Sequence, residues 1–201
     1  MIKVHHLEQS RSTRVLWLLE EIGVEYQRID YQRDPQTRLA PHSMREVHPL
    51  GKAPIVEDNG LVLVESAAIL EYLLDQYAPD QLRPAKGSPE YYVYQQWMHF
   101  VEGSAMLPVL LKLFLGEMED QSAPVFGYAQ KEFELDFGYI NSTLQSSSYL
   151  AGEDFTAADI MMVNTLLFAK NLGMLENYPA IQAYIQKISE RKAFQAALSF
   201  G

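Results

Sequence analysis

The 201 residues suffice for one large domain or two small ones, each with its own core, and a composition of 48% hydrophobic and 21% charged residues reads as a folded chain. A formal net charge of −10 disfavours nucleic acid and anionic membrane surfaces as partners. There is no cysteine, which excludes disulfides, thiolate metal sites, cysteine nucleophiles and a C-x-x-C redox pair.

Met1 leads directly into Ile2-Lys3-Val4-His5-His6-Leu7, too short and polar for a signal-peptide core, and no apolar run approaches the ~18 residues of a membrane span. The expectation is a cytoplasmic protein. Residues 2–7 form a strand. A helix follows from about Ser12 to Ile22, with Val15, Leu18, Leu19 and Ile22 on one stripe and Gly23 as its stop. Val24 to Asp30 is a second strand, so the opening reads as a parallel βαβ unit. Asp34 to Val47 is polar, with a short helix inside it, and "HPLGKAP" (His48–Pro54) is a loop. Asn59-Gly60 between two apolar runs predicts a hairpin, because a type I′ turn needs positive φ at both positions. Glu65-Ser66 opens a helix carrying Ile69, Leu70, Leu73 and Tyr77.

"APDQLRPAKGSP" (Ala78–Pro89) reads as a linker, and strand signal almost vanishes after it. Ser88-Pro89-Glu90 starts a long helix that Pro108 should kink. A second helix spans about Val125 to Leu144. Thr156-Ala157-Ala158-Asp159 resembles a capping box before the apolar run Ile160–Phe168. Pro179 precedes a helix reaching about Glu190, and the tail after it is a weaker helix candidate. The pattern is a small α/β domain followed by an all-α domain.

His5 and His6 are neighbours on a strand and point to opposite faces, so they cannot share a metal, and no metal-ligand spacing appears elsewhere. Nucleotide-binding and acyl-transfer serine motifs are absent. Three local features remain. "SRSTR" (Ser10–Arg14) crowds hydroxyls and two arginines at a helix start, where hydroxyls cap but cations oppose the dipole by roughly 0.3–1 kcal/mol each. Ala53-Pro54 enters a strand. Glu65-Ser66 stands at a second helix start. Each has an ordinary structural reading alone.

Their order and spacing, together with "VLWLLEE", "HPLGKAPIVEDNG", "VESAAILEYL" and "YLAGEDFTAADI", resemble the soluble glutathione S-transferase superfamily over nearly the whole chain. The chain looks most like bacterial serine-type members. The resemblance implies a thioredoxin-like α/β domain at 1–78, a linker at 79–88, and an all-helical domain at 89–201 contributing the electrophile site. It implies glutathione as co-substrate, no metal, a symmetric homodimer, and conjugation of the glutathione thiolate to small hydrophobic electrophiles, as in detoxification. Glutathione-dependent peroxide reduction and a non-catalytic binding protein on the same fold are the alternatives.

By position, Ser10 lies four residues before Arg14, where the family places the hydroxyl that holds the thiol; Ser12 is a second candidate and Arg11 could supplement either. Tyrosine-type members use a tyrosine near the first strand, and here the first is Tyr26. The resemblance also implies a cis bond between Ala53 and Pro54 with backbone contact to the cysteinyl unit. It assigns Glu65 and Ser66 to the γ-glutamyl end, and Lys52 with His48 to the glycine carboxylate. Ala53 departs from the bulkier β-branched residue usual there. Met98, Met106, Phe100 and Tyr91 are candidates to line the electrophile site, although such a stripe also reads as plain core.

Overall fold

The computed structural model describes every residue of the chain except Glu117 and Glu119. It divides into two compact units, Met1–Gln81 with Ser189–Gly201, and Leu82–Ile188.

The first unit is built on a four-stranded sheet. Its strands are β1 (Ile2–Leu7), β2 (Tyr26–Tyr31), β3 (Ile55–Asp58) and β4 (Leu61–Val64), in the order β2-β1-β3-β4. β1 is parallel to β2, with Ile2 opposite Tyr26, and antiparallel to β3, with His5 opposite Ile55. Two helices, α1 (Ser12–Ile22) and α3 (Ser66–Tyr77), pack on this unit. α1 buries Val15, Leu16, Leu18 and Leu19 completely, each worth roughly 1.5–3 kcal/mol of transfer from water. It ends on Gly23 at φ 67, the left-handed position glycine takes at no steric cost. The β3–β4 turn has Asn59 at φ 48 and Gly60 at φ 84, as the Asn-Gly pair predicts. α2 is a short turn of helix, Met44–Val47, whose Met44 packs with Leu7 and Ile55 against one sheet face.

Ser189–Gly201, which the sequence pattern groups with the helical domain, packs instead with the first unit. Its helix α9 (Lys192–Leu198) lies against α1. The Arg191 guanidinium grips Glu21 with two bonds of 2.7 Å, and the Phe194 ring lies 4.6 Å from that of Trp17. A bidentate, half-buried pair of this kind is stronger than an exposed one.

Among the described residues the second unit is helical apart from an isolated bridge between Tyr149 and Gly152. It contains α4 (Pro89–Phe100), a π-turn at Val101–Ala105, α5 (Met106–Leu115), α6 (Pro124–Ser146), α7 (Ala157–Asn171) and α8 (Pro179–Ser189). Ser88 caps α4 by accepting from the Tyr91 N–H at 3.1 Å. The helix stays continuous through Pro108. The disturbance expected there falls one turn earlier, as the π-turn: a proline ring clashes with the carbonyl four residues back, Ser104, and a widened turn relieves it.

Counting runs of consecutive apolar residues misses one property of this stretch. Pro89–Leu115 holds an 18-residue window of mean hydropathy 1.4, long and apolar enough by composition to cross a membrane. It packs on α6 and α7, burying Tyr94, Trp97, Met98, Val101 and Val109. Met98 and Met106, candidates for an electrophile site, are thus core residues. Phe100 stacks edge-on to Trp97 and Tyr139, and Tyr91 lies beside Tyr94.

Candidate active site

Strand register gathers the singled-out residues at one end of the sheet. His5 of β1 faces Ile55, the first residue of β3, and Ile55 faces Val64, the last residue of β4. The segments that leave or enter the sheet at that end are therefore Leu7–Arg11, Ala53-Pro54 and Glu65-Ser66.

The α1 start carries a chain of polar contacts. Ser12 is fully buried, and its Oγ lies 2.8 Å from His6 Nδ1, 2.7 Å from Ser10 Oγ, and 3.3 Å from both the N–H and the carbonyl of Leu7. Ser10 is half-buried, and its oxygen accepts from the Ser12 N–H at 3.2 Å, satisfying one orphan donor of the helix. Thr13 turns its hydroxyl back to the Ser10 carbonyl at 3.2 Å. No acid stands in the first turn of α1, so the positive end of this dipole has no side-chain counter-charge there.

The two arginines divide. Arg11 is half-exposed, at the N-cap. Arg14 is 1% exposed and sends Nη1 toward Ser66 Oγ, a long contact of 3.4 Å. One buried guanidinium thereby joins the starts of α1 and α3, which explains a cation this early in α1: its charge reaches a neighbouring element.

Glu65 stands at the N-cap position of α3, at φ 74 and ψ 115, with an exposed side chain that makes no capping bond. That backbone region costs a non-glycine residue about 1–3 kcal/mol and clusters at functional sites. Ser66 is buried at N1 of α3. The Ala53–Pro54 bond is cis, as the resemblance implies; Pro54 is buried and Ala53 half-buried. His48 and Lys52 lie on the loop that leads there. His48 Nδ1 accepts from the Leu50 N–H at 3.3 Å, Gly51 has φ 55, and the Lys52 side chain is exposed. At Gly51 any Cβ would meet the Arg45 side chain, at 2.6 Å from its Cγ, so glycine is required by space as well as by φ.

Sequence reasoning passed over three residues. His6 read as structural, yet strand alternation puts it with Ile2 and Val4, and it touches Ser12. Arg33 and Arg38 were unremarked. Arg33 donates to the carbonyls of Glu8 and Gln9 at 3.1 and 3.0 Å, and Arg38 donates to the Gln9 side-chain oxygen at 2.8 Å. They hold Gln9 at φ 49, the left-handed turn that delivers Ser10. His5, on the opposite face, bonds Glu57 at 2.8 Å and Tyr31 at 3.0 Å; the His5 bond, helped by the nearby Lys3, holds the Glu57 carboxyl below its usual range.

Residues 1–75 match the family model described as the glutathione S-transferase N-terminal domain, and residues 106–192 match that of the C-terminal domain. Glutathione S-transferase 3 of Schizosaccharomyces pombe is 36% identical over 212 residues, spanning 98% of this chain and 86% of its own. The chain belongs to the glutathione S-transferase family. This transferase also resembles glutathione S-transferase 1 of Saccharomyces cerevisiae, at 27% identity over 98% of this chain and 94% of that protein. Among solved structures, a glutathione S-transferase from Actinobacillus pleuropneumoniae aligns with a TM-score of 0.89 at 32% identity, over 98% of this chain and 91% of that one. A sphingomonad glutathione S-transferase, solved in complex with glutathione, aligns with a TM-score of 0.80 at 28% identity, over 98% and 97%.

Proposed function

We propose that this transferase binds glutathione at the end of the sheet formed by Ser10, Ala53-Pro54 and Glu65-Ser66, and conjugates the glutathione thiolate to small hydrophobic electrophiles. The Ser10 hydroxyl donates to the thiolate. The observation that carries this reading is that Ser10, a half-exposed residue, ends a buried polar chain at a helix N-terminus whose first turn lacks an acid. Ser12 takes a supporting role, because its oxygen is wholly buried and already has polar partners on every side.

The chemistry needs an ionised sulfur. A free thiol titrates near 8.5, so lowering it by about two units requires ~2.7 kcal/mol of preference for the anion. A hydroxyl donor, the α1 dipole and the Arg11 guanidinium each contribute about 1 kcal/mol, which together is the right size. Ser10 stabilises the anion and does not attack.

The tripeptide's charges find complements. Glu65 faces the γ-glutamyl ammonium, and Ser66 with the first N–H groups of α3 takes the adjacent carboxylate. The Ala53 backbone pairs with the cysteinyl unit, beside Pro54. Lys52 serves the glycine carboxylate as a point charge, with His48 nearby. The apolar side chains exposed on the edge strand β4, Leu61 and Val62, support assembly as a homodimer. A cytoplasmic location would supply reduced glutathione.

The test is a paired assay: conjugation of a chlorodinitrobenzene-type electrophile and reduction of an organic hydroperoxide, in wild type, Ser10→Ala and Ser12→Ala. Ser10→Ala slows whichever reaction the wild type performs. If neither substitution slows either reaction more than a few-fold, the assignment fails. A wild type that performs neither reaction and binds no glutathione is a binding protein on this fold. Native mass measurement at micromolar concentration tests the dimer.

A further inference from the structure

His6 is 2% exposed and sits between two partners. Its Nε2 lies 3.3 Å from the Phe200 carbonyl, which can only accept, so Nε2 carries hydrogen. Burial holds the ring below the ordinary histidine range, so it is neutral near pH 7. A neutral ring with hydrogen on Nε2 has a bare Nδ1, and the atom 2.8 Å from it is Ser12 Oγ. Ser12 therefore donates to His6, in preference to the Leu7 carbonyl at 3.3 Å.

This fixes the direction of the whole chain. With its proton committed, Ser12 can only accept, from the Leu7 N–H at 3.3 Å and from Ser10 at 2.7 Å. Ser10 then points its proton inward and takes the Ser12 N–H on one lone pair. What remains outward is an acceptor. That suits an incoming thiol and opposes a thiolate, which needs a donor.

We propose that His6 receives the proton the thiol loses, relayed through Ser10 and Ser12. The proposal rests on Ser10 as the thiol's partner. The S–H bond breaks with its electron pair left on sulfur, and the proton passes to Ser10 Oγ. The Ser10 proton passes to Ser12 Oγ, and the Ser12 proton to His6 Nδ1. Thiol and neutral imidazole become thiolate and imidazolium, and no heavy atom has to move.

Afterwards every bond points outward. Nδ1–H donates to Ser12, Ser12 to Ser10, and Ser10 to the sulfur, while Nε2–H still donates to Phe200. The charged groups facing the ring are Asp30 and Arg28 of β2, paired with each other at 2.7 Å, so their fields oppose. α1 presents the Ser12 hydroxyl, and the chain end presents backbone at Phe200 and Gly201. The ring's counter-charge is the distant sulfur. His6 and Ser12 are positioning residues on this account, since neither touches the thiol.

The test follows the His6 ring by NMR in the full-length protein carrying isotope-labelled histidine, assigned by His6→Gln. Spectra are taken free, with glutathione, and with S-methylglutathione, which has no thiol proton. Glutathione should convert the ring from the Nε2–H form to imidazolium, and S-methylglutathione should leave it neutral. Gln at position 6 can bond both Ser12 and Phe200 but cannot take a proton. His6→Gln should bind S-methylglutathione within about twofold of wild type. Its kcat/KM profile should shift alkaline by about one pH unit, a roughly tenfold loss on the acid side. A ring that stays neutral while bound glutathione shows thiolate absorbance overturns the relay, as does an unshifted His6→Gln profile. Bound glutathione with no thiolate absorbance in wild type overturns the Ser10 reading itself, and the relay with it.

Discussion

Two helix N-termini in this transferase enclose buried polar networks, and they are finished differently. At the start of α7, Asp159 is fully buried and its carboxylate is closed on all sides. It accepts from the Thr156 N–H and hydroxyl at 2.8 and 3.1 Å, from the Leu150 N–H at 3.1 Å, and from Tyr184 at 2.6 Å. Burial pushes its carboxyl up while those donors pull it down. The first turn of α1 holds no acid, and the chain His6–Ser12–Ser10 ends at a half-exposed serine. A closed network of this kind stabilises and specifies a fold; an open one leaves its last hydrogen bond for a ligand.

Substitutions in the two places should separate stability from chemistry. The largest effect is expected at the closed network. Asp159→Ala strands four buried donors at about 1–3 kcal/mol each, so denaturant unfolding should show a loss of about 4 kcal/mol or more. Activity per folded molecule should hardly change. Ser10→Ala should do the reverse, with conjugation at pH 7 falling about tenfold, equivalent to ~1.4 kcal/mol, and unfolding free energy staying within ~1 kcal/mol of wild type. A stability loss at Ser10 matching that at Asp159 would erase the contrast.

Glu65→Gly sharpens it further. Glycine relieves the positive φ while deleting the carboxylate proposed to face the γ-glutamyl ammonium. Calorimetry should show glutathione affinity reduced about tenfold, with the thermal midpoint unchanged or raised. The smallest effect is a pH dependence. The His6 pKa is lowered on folding by burial, so the unfolded chain binds the extra proton. That contribution to stability is fully present above about pH 6.5 and is lost as pH falls toward the folded value. Wild type should lose stability relative to His6→Gln over that interval, read from denaturant midpoints at each pH.

Local chemistry explains how much of this was legible in the sequence. The Asn59-Gly60 turn, the Gly23 stop, the Ser88-Pro89 start and the Thr156–Asp159 box are each written within a few residues, and each appears where expected. The order of the site segments was legible for the same reason. What was hidden depends on distant chain. His6 meets Phe200 across 194 positions, and Arg191 meets Glu21 across 170, so no local pattern announces either. Those two contacts belong to the return of Ser189–Gly201 to the first unit, against the sequence grouping. The Ser10–Ser12 ambiguity was also non-local, because only the packed strand shows which oxygen is enclosed.

The most direct measurement is the ionisation of bound glutathione itself, followed by thiolate ultraviolet absorbance against pH in wild type and Ser10→Ala. A bound-thiol midpoint about two units below that of free glutathione, moving back by one unit or more in Ser10→Ala, is the predicted result. A wild-type midpoint equal to that of free glutathione, or one that Ser10→Ala leaves in place, would contradict a thiolate held by this serine.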